Sequence, residues 1–138
     1  MQTTMHDLEI TLKDTAGTLA KATEVIAAEQ INLEGGTAYS CGGEGVFHAL
    51  FKTEQDADKA RRALEKTGHR VRSQNKVVVT DAEDKPGSAA KLYRAIADQE
   101  VNVTFTYVAT NNRVVIGSDQ PQKVTEALRT PSTTGARR

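Results

Sequence analysis

Asp14 stands three residues before Gly17, and Asp84 stands three residues before Gly87, each glycine leading into a run with helical spacing. A strand that ends in an acid, turns through glycine and enters a helix gathers backbone N–H groups and the positive end of the helix dipole at the turn. Such a corner attracts a carboxylate, and the neighbouring aspartate accepts hydrogen bonds from an ammonium group. An α-amino acid carries both groups. Asn32 and Asn102, shortly past the end of each helical run, add both donor and acceptor capacity. Thr18 and Ser88 place a hydroxyl in the first turn of both runs.

The pairing of these residues is not accidental. At an offset of 84 − 14 = 70 residues, Gly17 meets Gly87, Ala20 meets Ala90, Lys21 meets Lys91, Ile26 meets Ile96, Ala27 meets Ala97 and Asn32 meets Asn102. The chain is an internal repeat, and the repeat sets the frame for the elements that position the turns.

In the first copy Leu8, Ile10 and Leu12 alternate with Glu9, Thr11 and Lys13, the period of a strand with one buried face. Leu19, Ala22 or Thr23, and Ile26 then recur at helical spacing. Alternation returns over 31–39, "CGGEG" at 41–45 reads as a hairpin, and Val46 to Lys52 reads as its return strand. "EQDADKARRALEKTG" gives a second helix stopped by Gly68, followed by a short strand over 69–74. The second copy repeats the order with a strand over 77–80, a helix over 86–99 with Pro86 in its first turn, strands over 101–109 and 114–117 about a turn at "TNNR", and a shorter helix over 121–129. No alternation follows Thr130. The expected fold class is therefore α+β: two ferredoxin-like βαββαβ sandwiches in tandem, the second lacking its last strand. The expected boundaries are 1–75, 76–130 and a disordered tail over 131–138.

The 138 residues carry 18 basic and 18 acidic side chains, so nothing calls for nucleic acid or an anionic membrane surface. One cysteine, Cys41, permits no internal disulfide. No stretch has the length of a signal peptide core or a membrane span, and a cytoplasmic location is expected. His6, His48 and His69 are scattered without metal-ligand spacing, so neither metal nor cofactor is expected. His48 alternates with Val46 and Leu50 and is expected at an exposed or edge position.

"DTAGTLAKATEVIAAEQINL" and "DKPGSAAKLYRAIADQEVNV" resemble the acid-or-amide, glycine, helix and I/V-N signature of the ACT domains, small amino-acid-sensing modules of regulated biosynthetic enzymes and of stand-alone tandem proteins. The resemblance covers roughly 8–74 and 77–129. It implies a regulatory protein rather than an enzyme, a homodimer, and a small amino acid held where modules face each other, coupled to a regulated partner or to oligomer state. It places one half-site at Asp14, Thr15, Ala16, Gly17, Thr18 and Leu19, another at Asp84, Lys85, Pro86, Gly87 and Ser88, and the completing residues at Asn32 with Leu33 and Asn102 with Val103. Ala16 stands where the family often has proline, and Ala89 stands where the first copy has Leu19.

Two other readings of the same residues stand beside this one. Aspartate before a helix is a good N-cap without any ligand, and the same sandwich serves equally as an adaptor that docks another protein.

Overall fold

The computed structural model describes residues 2–129; the tail expected over 131–138 lies outside them. In chain order the elements are β1 (Gln2–Lys13), α1 (Thr18–Ala28), β2 (Gly35–Cys41), β3 (Glu44–Phe51), α2 (Glu54–Lys66), β4 (Arg70–Asp81), α3 (Ser88–Asp98), β5 (Phe105–Ala109), β6 (Arg113–Gly117) and α4 (Pro121–Arg129). The described residues form an α+β fold of four helices and six strands. Among the described residues no helix is long and apolar enough to cross a membrane.

The chain divides into two units. In Met5–Lys76, β1 pairs antiparallel with β3 from His6↔Phe51 to Lys13↔Glu44, and β2 pairs antiparallel with β3 from Gly35↔Leu50 to Cys41↔Glu44. β4 neighbours β1, and Asn75 on it donates to Asp7 at 3.3 Å. The alternation of β1 sends Leu8, Ile10 and Leu12 to one face, where they meet Phe47, Ala49 and Phe51 of β3 and the buried stripes Ala22–Ile26 of α1 and Ala57–Ala60–Leu64 of α2. Side-chain burial of this kind, about 1.5–3 kcal/mol for each large apolar residue, is what holds helices to a sheet. Thr53 caps α2 by accepting from the Asp56 N–H at 3.1 Å.

The other unit contains residues 77–129 together with residues 2–4. β6 pairs antiparallel with both β4, from Val78↔Ile116 to Asp81↔Arg113, and β5, from Phe105↔Gly117 to Ala109↔Arg113. Val78, Val114 and Ile116 form its core with Ile96 of α3 and Val124 and Ala127 of α4. No strand follows α4 among the described residues. Residues 2–4, the start of β1, supply extended chain to this unit instead, and the Gln2 side-chain amide donates to the Thr125 carbonyl at 3.1 Å. Two local expectations are corrected. The strands expected on either side of Asn75 are one continuous strand, β4, because nothing in "SQNKV" breaks an extended backbone. Pro86 lies outside the helix, which begins at Ser88 after an αL glycine.

Both α1 and α3 end with a left-handed residue that is not glycine: Gln30 at φ 59° and Glu100 at φ 57°. Gly68 does the same after α2 without a Cβ. An L side chain in this region costs about 1–2 kcal/mol, partly offset by the greater unfolded-state entropy of glycine. Gln30→Gly and Glu100→Gly are each expected to raise stability by about 0.5 kcal/mol, read as a higher midpoint in urea unfolding.

Candidate functional site

The two turns share one backbone geometry. In the first, the Thr15 N–H donates to the Lys13 carbonyl at 2.9 Å, the Thr18 N–H to the Thr15 carbonyl at 3.4 Å, and the Lys21 N–H to the Gly17 carbonyl at 3.0 Å. In the second, the corresponding bonds are Lys85 to Glu83 at 2.9 Å, Ser88 to Lys85 at 3.3 Å, and Lys91 to Gly87 at 3.0 Å. Gly17 (φ 90°, ψ −10°) and Gly87 (φ 88°, ψ −9°) are the residues immediately before the helices. That left-handed conformation is why glycine is required at both. A Cβ at either position would meet nothing within 4 Å, so the backbone there is open.

The aspartates are not N-caps. No side chain caps α1 or α3, because the αL glycine takes the capping position and has no side chain to offer. Asp14 instead accepts from the Ser40 hydroxyl at 2.8 Å, which ties the turn to the end of β2. The Thr18 hydroxyl donates back to the carbonyls of Lys13 at 2.7 Å and Thr15 at 3.1 Å and so closes the turn on itself. Asp84 and Ser88 are in corresponding places, with Asp84 exposed, and Lys85 pairs with Glu83 at 3.3 Å.

Between the first turn and the β2–β3 hairpin lies a cavity of about 230 Å³, lined by Asp14, Thr15, Gly17, Thr18 and Leu19 from the turn and by Tyr39 and Ser40 from β2. Leu19 and Tyr39 are two of the exposed large apolar residues, at 41% and 51%, and they form its apolar wall. At the repeat offset their counterparts are Ala89 and Ala109, so the second turn carries the same backbone with smaller neighbours.

Asn32 and Leu33 line a different cavity, of about 360 Å³, beyond the other end of α1. The Asn32 amide donates to Glu34 at 3.1 Å. The eleven residues of α1 span roughly 16 Å, so Asn32 cannot reach Gly17 of its own unit. Asn102 is exposed and Val103 half-buried in the other unit.

His48 is not exposed. It is 3% exposed, and its Nδ1–H donates to the Asp7 carboxylate at 3.0 and 3.1 Å, with Asp7 fully buried. Glu9, its cross-strand partner, lies 4.0 Å from Nε2 and also pairs with Arg72 at 3.7 Å. Burial works against the imidazolium, but the hydrogen bond and charge of Asp7, joined by Glu9, outweigh it and raise the His48 pKa above 6.5. The sequence carries no local signal for this pair, since Asp7 falls on the polar phase of β1 with Glu9 and Thr11. The 41-residue separation of the partners hid it.

No family model matches the chain, and no curated protein matches it. Among solved structures, protein BT0572 from Bacteroides thetaiotaomicron is 29% identical with a TM-score of 0.77, covering 92% of this chain and 88% of that one. The regulatory subunit of aspartate kinase from Thermus thermophilus, in its ligand-free form, is 18% identical with a TM-score of 0.66 over 93% of each chain. The ACT domain of prephenate dehydrogenase from Bacillus anthracis is 30% identical over 47% of this chain and 97% of that one, with a TM-score of 0.44. The class defined by the fold is thus α+β. Its fold is that of the ACT-domain proteins.

Proposed function

We propose that this chain is a tandem ACT-like regulatory protein, not an enzyme, that binds a small amino acid at the turn before α1 and passes occupancy on through its packing with a partner or a second copy. The observation that carries the reading is the open, uncapped glycine turn, present twice with matching hydrogen bonds. An uncapped helix start leaves N–H groups for a carboxylate. Asp14, held by Ser40 beside the same cavity, keeps acceptor lone pairs for an ammonium group. The likeness in fold to regulatory subunits of aspartate kinase supports regulation over catalysis. In this reading Asn102 or Asn32 of a facing module completes the site, the functional unit is a homodimer, and the setting is cytoplasmic.

Isothermal titration of the protein against the common amino acids tests this. At least one is expected to bind with a Kd between about 1 μM and 1 mM. A panel without heat, together with co-purification of a stable protein partner, would replace the sensor with an adaptor.

A further inference from the structure

On the other side of the first turn lies a larger cavity, of about 550 Å³, lined among others by Lys13 at the end of β1, Lys21 on α1, and His69 and Arg70 at the start of β4. Its volume is that of a small-molecule site. Two acids also line it, Asp14 and Glu44, and Asp14 is already bonded to Ser40. The side chains of Lys13, Lys21 and Arg70 have no ion-pair or hydrogen-bond partner among the described residues. Some cations elsewhere are paired: Arg72 with Glu9, Arg61 with Asp58, Arg94 with Asp98 and Lys85 with Glu83.

Three cations without an ion pair converge on one cavity from three separate elements and outnumber the two acids there, so the lining is left net positive and favours an anion. The His69 Nδ1 is engaged with the Thr67 hydroxyl at 3.1 Å, which turns Nε2 away from that contact. A groove between α1 and α2 also carries Lys59, Arg62 and Lys66. All three lie on one helix there, and Lys59 is spent on the Glu29 carbonyl at 3.2 Å, so that groove lacks the convergence.

We propose that the cavity bounded by Lys13, Lys21, His69 and Arg70 binds a small polyanion, either a phosphorylated or a polycarboxylate metabolite. Arg70 supplies a fork matched to phosphoryl or carboxylate oxygens, and the lysines supply point charge. The site adjoins the amino-acid site and shares Asp14, Thr15 and Thr18 with it, while Lys21, His69 and Arg70 line the larger cavity alone.

The test is titration of the whole protein with inorganic pyrophosphate and, separately, with citrate at low salt; the tighter arm assigns the phosphoryl or the carboxylate source. Lys21→Gln and Arg70→Gln are each expected to weaken binding about tenfold, the loss of one charge-assisted hydrogen bond. Glu44→Gln is expected to tighten it a few-fold, and Arg62→Gln, in the neighbouring groove, to leave it within about twofold. These side chains, exposed or half-buried in the folded chain, are variants that keep the fold, verified by unchanged circular dichroism. Absence of binding by both probes at about 10 mM, or an equal loss in Arg62→Gln, overturns the site.

Discussion

Asp7→Ala is expected to destabilise the protein by about 3 kcal/mol, the lower end of what breaking one side of a buried charged pair costs. The loss falls on several bonds at once. His48 keeps its buried ring but loses both contacts to the carboxylate, and the Asn75 amide loses an acceptor. His48 can shed its proton rather than stay charged, which keeps the cost from rising further. Urea unfolding of the two proteins at pH 6 measures it, and a loss under about 1 kcal/mol would mean that the pair is solvated in solution.

The same substitution is expected to reverse a pH dependence. In the native protein the His48 pKa is raised, by Asp7 and Glu9 against burial. A group with a raised folded pKa contributes stability that is complete below its unfolded value, near 6.5, and is lost as pH climbs through the folded value. The wild-type contribution of His48 therefore falls on going from pH 6 to alkaline conditions. Without Asp7 the burial effect is left facing only the more distant Glu9, and this slope flattens or changes sign.

Much of the fold was legible because each element needed only local rules. The alternation of Leu8, Ile10 and Leu12, the stripe of Ala57, Ala60 and Leu64, and the repeat offset all report which face is buried, and the core contains those residues. What stayed hidden depends on partners far along the chain. Nothing near Gln2 announces that residues 2–4 belong with 77–129, and nothing near His48 announces Asp7. The turns were half legible. Asp, Gly and the helix start marked their position, but the αL glycine displaces aspartate from the cap, and only the folded hairpin brings Ser40 to Asp14 and Tyr39 to the cavity wall.

Gly17→Asp is expected to weaken amino-acid binding by about a hundredfold or more. The substitution places a carboxylate at the position before α1, beside the N–H groups of the first turn and the positive end of the helix dipole. Those are the groups offered to the ligand carboxylate, so the protein's own anion competes for that field and repels the incoming one. The φ of 90° is costly for a Cβ-bearing residue, by about 1 kcal/mol and less for aspartate than for most. Open space around the added Cβ removes any clash, so the melting temperature is expected to move by only a few degrees. A folded Gly17→Asp protein that still binds normally would show that the ligand sits elsewhere. Gly87→Asp separates the two turns. With Ala89 and Ala109 in place of Leu19 and Tyr39, the second turn lacks the apolar wall of the first, so this variant is expected to keep the tighter binding event and lose at most a weaker one.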